Sequence, residues 1–277
     1  MNIPQFHVHQ DPLTDPGERA SLYDDLPTTP SGLRDVVSEL IVHLSRLAWY
    51  GLSPRFRISR ETQPVAKRLE LIQASWPGSL LTPRPVGKRS FGTCRDYALL
   101  LCSMLRHRSI AARVRCGFAT YFATGPYEDH WICEYWLSDE RRWARADAQL
   151  DHLHRERLGI RFDGVDLPHS AFLTAGQAWK MTRSGVAAAD DFGHGEAKGL
   201  WFLRVNVHRD LFALTNQHTS AWDTWRTSTT PSKTLDPADK AAVDLLTSVI
   251  EEIERDAGLF EFLKDIAAKN QVPPWRS

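Results

Sequence analysis

Cysteine, histidine and aspartate, the three residue types of a thiol catalytic triad, occur in this order at Cys94, His130 and Asp147. Gly92 and Thr93 lead directly into the cysteine, and a helical pattern follows it. Unpaired backbone N–H groups and the dipole at a helix N-terminus favour a thiolate. The same N–H groups can stabilise an oxyanion on an acylated intermediate. The segment therefore predicts a nucleophilic cysteine that attacks a carbonyl group.

The histidine and the aspartate belong to a predicted β-hairpin. A four-residue turn after Leu137 would pair Leu137 with Arg142, which sets His130 opposite Gln149 and makes Asp147 its diagonal neighbour on the same face. The imidazole could then accept the thiol proton and return it to a leaving amine. A carboxylate beside it would fix the tautomer and stabilise the imidazolium. The hairpin therefore predicts the base and the orienting acid of the triad.

The other three cysteines are expected to be structural. Cys102, Cys116 and Cys133 fall in the middle of a predicted helix or strand, where a thiol usually behaves as a small apolar side chain. No Cys-x-x-Cys pair occurs, and four cysteines in a chain of this length do not make a disulfide framework. This cysteine usage predicts a reducing, cytoplasmic location.

The elements that must position the triad follow an α+β pattern. A helix is predicted from Cys94 to about Arg108. Apolar residues alternate with others over 113–118, which is typical of a strand, and 130–137 and 142–147 predict the two strands of the hairpin. This order of one helix and three strands indicates an α+β core in which the catalytic helix packs on an antiparallel sheet.

The flanking segments predict N- and C-terminal extensions that are mainly helical. The first thirty residues mix Pro, Asp, Gly and Thr and are typical of an extended arm. One helix is predicted from Ser31, as its cap, through about Tyr50, and another after Glu61, ending before Trp76. The predicted organisation is an N-terminal arm (1–30), a catalytic core (31–151) and a C-terminal extension packed on the core (152–277).

Signals within the C-terminal extension are weaker. The segment from Phe172 to Met181 predicts a helix, and the segment from Trp201 to Val207 predicts a strand. A Thr/Ser/Pro-rich stretch around Thr227 to Thr234 predicts a loop. Asp236 and Pro237 open a well-patterned helix, since proline suits the first turn.

Three sequence motifs carry a family resemblance: Gly92 to Ala98 (Gly-Thr-Cys-Arg-Asp-Tyr-Ala), Ala111 to Val114 leading to Gly117, and His130-Trp131 followed by Trp143 and Asp147. Over roughly Arg84 to Leu150 the chain resembles the core of the transglutaminase-like superfamily. This superfamily includes transglutaminases, bacterial cysteine hydrolases and peptide N-glycanases, with arylamine N-acetyltransferases as more distant relatives. Weaker matches in the flanks resemble bacterial members of unassigned activity.

The resemblance implies a papain-like triad with Cys94 as nucleophile, His130 as base and Asp147 as orienting acid. One position departs from the family pattern. Ala148 follows Asp147 where many members have proline, and this departure concerns the loop that comes next, since the triad residues themselves are present.

Further site residues are predicted with less specific signals. Gln73 and Trp76, upstream of the cysteine, are candidates for a substrate contact or for the second oxyanion donor. Arg113 and Arg115 lie on one face of a predicted strand, where they could recognise a substrate carboxylate or simply be exposed. Trp131, next to the histidine, is another substrate-binding candidate.

Neither a metal site nor a cofactor is predicted. His152 and His154, with Asp151, form the best metal-ligand pattern in the chain. Two histidines one residue apart in a polar stretch are, however, more often solvated than bound to a metal.

The composition argues against several classes of function. The chain has 277 residues and a formal net charge of zero, so it resembles neither a nucleic-acid binder nor a polybasic membrane-surface protein. No apolar run approaches the roughly 20 residues that span a bilayer, and the first residues lack a signal-peptide pattern. Its hydrophobic share of 42% and charged share of 25% are those of a globular protein.

We therefore predict cysteine-dependent chemistry on an amide or thioester through an acyl-enzyme at Cys94. Hydrolysis, by an amidase or peptidase, is slightly favoured. The alternative is acyl transfer to an amine, including amide formation from carrier-bound acyl groups in secondary metabolism. A catalytically inert binding module that keeps the fold is the second alternative. The expected substrate is a small molecule, a peptide or a carrier-bound acyl group.

Overall fold

The computed structural model describes residues 3–53, 62–122, 124–217, 234–253 and 256–269. The chain divides into two compact units. The N-terminal unit comprises Pro4–Val114 and Ile132–Leu167, and the C-terminal unit comprises Met1–Ile3, Arg115–Trp131 and Pro168–Ser277. Helices and strands occur together in both units, which confirms the predicted α+β class.

The chain as far as His107 is mainly helical. Its helices are α1 (Ile3–Phe6), α2 (Pro30–Leu40), α3 (Val65–Ser75) and α4 (Cys94–His107), its strands are β1 (Ile41–His43) and β2 (Ser90–Gly92), and 3-10 turns lie at Gly17–Tyr23, Leu44–Tyr50 and Val86–Lys88. Strand β1 pairs in parallel with β2, with Ile41 opposite Ser90 and His43 opposite Gly92. Strand β2 ends at Gly92, so that only Thr93 separates it from α4.

Helix α2 differs from its prediction at both ends. Thr29, not Ser31, is the N-cap, and it accepts a hydrogen bond from the Gly32 N–H (3.2 Å). The helix ends at Leu40 because the next residues, Ile41–His43, pair with β2. The predicted helix was therefore wrong beyond Leu40, since a long-range strand pairing overrides a local helical pattern.

The chain from Ile3 to Pro30 is folded rather than extended. They contain α1 and a 3-10 turn, and Tyr23 and Leu26 are buried. Asp11 forms a buried ion pair with Arg106 of α4, with 2.6 Å between Asp11 Oδ2 and Arg106 Nη1. The prediction of an extended conformation was therefore wrong, because scattered apolar side chains and one buried carboxylate fix this segment.

The larger sheet contains strands that have residues in both units. Its strands are β3 (Ala112–Ala119), β4 (Tyr127–Leu137), β5 (Arg142–Ala146), β6 (Phe172–Thr174), β7 (Phe192–His194) and β8 (Ala197–Lys198). The order is β6–β3–β4–β7–β8, and β5 also pairs with β4. The β3–β6 and β4–β5 pairs are antiparallel, as predicted for the core, whereas β4 pairs with β7 in parallel.

The hairpin of β4 and β5 has the predicted register. Leu137 lies opposite Arg142, and the pairing continues to Cys133 opposite Ala146. Turn length and strand alternation were therefore sufficient to set this register. The position of His130 in the same register, three residues further along the strand, stays a prediction.

Helix α5 (His152–Leu158) is the last described helix of the N-terminal unit in chain order. The C-terminal unit contains α6 (Ala175–Arg183), α7 (Leu200–Leu214), α8 (Pro237–Glu252) and α9 (Ala257–Lys269). The strand predicted from Trp201 to Val207 was wrong, because this segment lies in α7. Most of α7 is buried, including Phe202, Leu203 and Val205. A helix that is buried nearly all round lacks a polar stripe, so its short apolar run looks like a buried strand.

The remaining C-terminal predictions had mixed outcomes. The first three residues of the helix predicted from Phe172 are strand β6, and Thr174 caps α6 by accepting a hydrogen bond from the Gln177 N–H (3.3 Å). Asp236 caps α8, and Pro237 occupies its first turn, as predicted. Apart from its last residue, the loop predicted over 227–234 lies outside the described residues.

None of the described helices combines the length and the apolar character that crossing a bilayer requires.

Candidate active site

Cys94 is the first residue of α4, as the sequence predicts. Thr93 is the N-cap, and its N–H donates to Asp96 Oδ2 (2.7 Å) while its hydroxyl lies 3.2 Å from the same oxygen. The Cys94 side chain is half-buried, whereas the other three cysteines of the chain are buried. Cys94 is therefore the cysteine that combines a helix N-terminus with access to a reactant.

A buried ion pair holds this helix start in place. Arg68 of α3 places its Nη2 2.7 Å from Asp96 Oδ1, and the two side chains are 5% and 2% exposed. Arg68 Nη1 donates to the Phe91 carbonyl (2.6 Å) and to Ser90 Oγ (2.8 Å) of β2. The guanidinium thus balances the charge of a buried carboxylate two residues from Cys94.

Small and polar residues around the cysteine have specific structural roles. A Cβ added at Gly92 would lie 2.8 Å from Asp96 Oδ2, closer than real Cβ contacts, so the cap requires glycine at this position. The Tyr97 hydroxyl donates to the Ile41 carbonyl (2.9 Å) and ties α4 to β1. The motif that begins at Gly92 therefore builds and anchors the helix start.

Asp147 directly follows β5, and its side chain is buried. Its Oδ1 accepts a hydrogen bond from the Gln149 N–H (2.8 Å), and its carbonyl accepts one from Arg34 Nε (3.4 Å). Arg34 Nη2 also donates to the Leu150 carbonyl. The loop after Asp147 is therefore held by Arg34.

His130 lies within β4 rather than at its start, which is Tyr127, so the predicted strand end was wrong by three residues. Only 1% of its surface is exposed. Its ring makes edge contacts with Phe122, at 4.9 Å between ring centroids, and with Tyr121, at 5.9 Å. The two aromatic rings therefore shield the imidazole from bulk water.

The three predicted triad residues are divided between the two units. Cys94 and Asp147 belong to the N-terminal unit and His130 to the C-terminal unit. Cys94 lies at the predicted helix start, whereas His130 lies inside β4 rather than at its start and Asp147 lies one residue after the strand that it was predicted to close. Their action as a triad stays a prediction.

Arg113 and Arg115 are buried, so the alternative that they are simply exposed on the surface was wrong. Arg113 Nε donates to Glu134 Oε2 (2.9 Å), and its guanidinium lies 3.9 Å from the centre of the Trp143 ring. Arg115 forms a bidentate pair with Asp210, with distances of 2.9 and 2.8 Å. Both arginines bind carboxylates of the protein itself.

The other predicted substrate-contact residues are Gln73, Trp76 and Trp131. The Gln73 carboxamide bonds both backbone groups of Gly78, at 2.8 and 3.1 Å, and so closes the loop after α3. Trp76 follows the last residue of α3 and is partly exposed, whereas Trp131 is 2% exposed. The carboxamide of Gln73 is therefore engaged by the backbone and is poorly suited to be an oxyanion donor.

The two histidines of α5 occupy opposite environments. The His152 side chain is 93% exposed, whereas that of His154 is fully buried. Within the described ranges, no group of three or more His, Cys, Asp or Glu side chains is arranged to hold a metal ion.

Sequence reasoning did not identify Arg68 or Arg34. A signal for Arg68 existed, because it occupies the same helical stripe as Val65, Leu69 and Ile72, all of which are buried. A charged residue on an apolar stripe indicates a buried partner. Arg34 pairs with the adjacent Asp35, but the backbone carbonyls that it also binds are more than a hundred residues away, and no comparable signal for them exists in the sequence.

Residues 63–148 match the family model of the transglutaminase-like superfamily. The matched segment contains α3, β2, α4, β3, β4 and β5 and ends one residue after Asp147. It covers about a third of the chain and includes Cys94 and His130 as well. The predicted resemblance is thereby confirmed over the segment that carries the candidate site.

Two solved structures are similar to the chain. The "putative cysteine protease" of Cytophaga hutchinsonii is 16% identical, with 61% of this chain and 45% of that chain covered and a TM-score of 0.36. Red sea bream transglutaminase is 15% identical, with 58% and 30% covered and a TM-score of 0.33. The chain thus spans less than half the length of each, and neither likeness bears on activity. No curated protein matches the chain in sequence.

Proposed function

We propose that this chain, whose residues 63–148 match the family model of the transglutaminase-like superfamily, is a cysteine-dependent enzyme that acts on an amide or thioester. The observation that carries the proposal is the position of Cys94, half-buried at the start of α4, whereas the other cysteines are buried. A thiol in this position lies beside backbone N–H groups that can bind an oxyanion.

In the proposed reaction the Cys94 sulfur attacks the carbonyl carbon, and His130 takes the thiol proton and delivers it to the leaving amine or thiol. The product of this step is an acyl thioester on Cys94. Asp147 would orient the imidazole and stabilise its charged form. Water or an amine then attacks the thioester, gives a proton to His130 and releases the cysteine.

Hydrolysis, as in an amidase or peptidase, is the leading form of the proposal. Transfer of the acyl group to an amine is the second candidate, and one observation favours it. His130 is 1% exposed and lies against the rings of Tyr121 and Phe122, and apolar surroundings that exclude water protect an acyl-enzyme from hydrolysis.

The central test is intact-mass detection of an acyl adduct after incubation with a panel of amides, peptides and thioesters. We expect an adduct on the parent protein and none on Cys94→Ala. Cys102→Ala, which alters a buried cysteine of the same helix, is the matched control and should keep the adduct.

The inert-module alternative predicts a different result. It requires that iodoacetamide labels Cys94 no faster than a free thiol at neutral pH and that His130→Ala leaves this rate unchanged. The enzyme proposal predicts faster labelling of the parent and a slower rate for the variant, by about tenfold or more.

Product analysis with and without an added amine separates hydrolysis from transfer. A hydrolase should release the free acid at low amine concentration, because water outcompetes the amine. An amide product under those conditions would instead establish the transferase form.

A further inference from the structure

A buried histidine lies close to the candidate acid but outside the predicted triad. His154 of α5 is fully buried, and Trp49 and Tyr50 lie against its ring, with ring centroids 5.2 and 6.3 Å away. Burying a polar ring is costly unless its nitrogens find partners. The hydrogen-bond partners of His154 therefore indicate the role of this buried ring.

Asp151 fixes one side of the imidazole. Its Oδ1 lies 2.8 Å from His154 Nδ1 and 2.9 Å from the His154 backbone N–H, and its Oδ2 accepts a hydrogen bond from the Tyr50 hydroxyl. Since a carboxylate oxygen can only accept, His154 Nδ1 is the donor in this contact. Burial alone would raise the pKa of Asp151, but the hydrogen bonds from His154 and Tyr50 outweigh it and hold that pKa below its ordinary value.

The other side of the ring faces Gln149. His154 Nε2 lies 3.5 Å from Gln149 Nε2, which donates to it. Gln149 is 3% exposed, and its backbone N–H donates to Asp147 Oδ1 (2.8 Å). One residue thus contacts the imidazole with its side chain and the Asp147 carboxylate with its backbone.

We propose that Gln149 and His154 are positioning residues that hold the Asp147 carboxylate in its working orientation. The pair of Asp151 and His154 fixes the Gln149 side chain, and this in turn fixes the backbone N–H that Asp147 accepts. The inference rests on the proposed function, in which Asp147 orients the catalytic histidine.

An apolar cluster of similar volume would stabilise this region at least as well as a buried hydrogen-bonded one. The polar contacts are therefore better explained by a requirement for orientation than by stability. Geometric precision of this kind is what a catalytic acid needs from its neighbours.

The test uses the rate at which iodoacetamide alkylates Cys94, measured against pH on the full chain. Asp147→Asn removes the charge that supports the imidazolium and hence the thiolate. The acid limb of its plot of alkylation rate against pH should therefore move to higher pH. Gln149→Met and His154→Asn should move the limb in the same direction, with rates about threefold to tenfold below the parent at pH 6, the effect of one hydrogen bond.

Two further variants separate positioning from simple structural support. His152→Asn makes the same substitution at the exposed histidine of the same helix, and it should leave the pH profile unchanged. His154→Gln can still reach Gln149, so its profile should lie between those of the parent and His154→Asn. An unfolding midpoint recorded for each variant shows whether it is folded, and His154→Gln replaces His154→Asn if the latter is not.

The possible results are distinct. If Asp147→Asn shifts the limb while Gln149→Met and His154→Asn match the parent, the positioning inference is overturned and the proposed function stands. If Asp147→Asn itself leaves the profile unchanged, Asp147 is not the orienting acid, and both the triad and the inference fail.

Discussion

Among the described helix pairs that an arginine–aspartate ion pair joins, α3–α4 and α6–α8 differ most in the burial of that pair. Arg68 of α3 meets Asp96 of α4 with side chains that are 5% and 2% exposed. Arg183 of α6 meets Asp244 of α8 with side chains that are 40% and 41% exposed. Water screens and solvates the second pair, whereas each partner in the first depends on the other. The same residue types therefore have unequal structural importance.

The difference coincides with the location of the candidate site. The buried pair contacts the cap of the helix that begins with Cys94. In the C-terminal unit, α8 buries Val243, Leu246 and Ile250, so its position depends mainly on apolar packing. The helix start at Cys94 is thus held by directional contacts between buried groups, which fix orientation as well as distance, whereas the ion pairs of α8 are partly exposed.

The largest effect is expected from Arg68→Met. The Asp96 carboxylate would remain buried without its cation, and the free energy of unfolding should fall by roughly 3–5 kcal/mol, as measured by urea denaturation. The double variant Arg68→Met/Asp96→Asn removes the stranded charge and should recover much of this loss. Lys67→Met, at an exposed ion pair of the same helix, is the control. A loss no larger than that of Lys67→Met would contradict the comparison.

Glu134→Gln should have the next largest effect. Glu134 accepts hydrogen bonds from Arg113 Nε (2.9 Å) and Arg145 Nε (3.3 Å), and all three side chains are buried. Loss of the carboxylate leaves two buried guanidinium groups near each other, at a cost of about 3 kcal/mol in the free energy of unfolding. Glu140→Gln makes the same change at an exposed pair with Arg142 and should not measurably alter the urea midpoint.

A smaller effect is expected on the pH dependence of stability. Asp151 should contribute stability that is lost in acid, as carboxylates usually do in acid denaturation. Its pKa is held below the ordinary value by hydrogen bonds from His154 and Tyr50, in spite of burial. Its contribution to stability is therefore present above the unfolded value, about 3.9, and is lost as pH falls through the lower folded value. The urea midpoint of Asp151→Asn should thus fall less steeply than that of the parent as pH is lowered below about 5.

Asp129, in the C-terminal unit, should affect the pH dependence of stability in the opposite direction. Burial raises its pKa above the ordinary value and outweighs the opposing charge of Arg209. Stability should therefore decrease as pH rises from about 3.9 to the raised folded value. Asp129→Asn removes this dependence, and its urea midpoint at pH 7 should equal or exceed that of the parent. If Asp129→Asn and Asp151→Asn change the pH slope of the parent's urea midpoint in the same direction, burial and hydrogen bonding do not separate these two carboxylates.

The smallest effect is expected from Arg183→Met. Asp244 stays partly solvated and keeps its hydrogen bond from Trp179 Nε1 (2.7 Å), so the urea midpoint should not change measurably. A loss comparable to that of Arg68→Met would mean that burial is not what distinguishes the two helix pairs.

Local sequence signals were sufficient for the parts of the site that depend on neighbouring residues. Gly92-Thr93 before Cys94 predicts a helix start there, because capping is settled within one turn of the chain. The pairing of Leu137 with Arg142 follows from turn length. The cap at Asp236 has the same local origin.

Only the tertiary structure decided what those elements contact. Helix α2 stops at Leu40 because β1 pairs with a strand some fifty residues away, and Arg68 and His154 are buried because distant segments cover them. A residue's type does not state whether it will be solvated or enclosed. Burial depends on the packing of elements far apart in the chain, and it sets the strength of every charge contact around the candidate site. The sequence by itself therefore determined a helix-start cysteine and a hairpin, and tertiary packing determined how rigidly they are held.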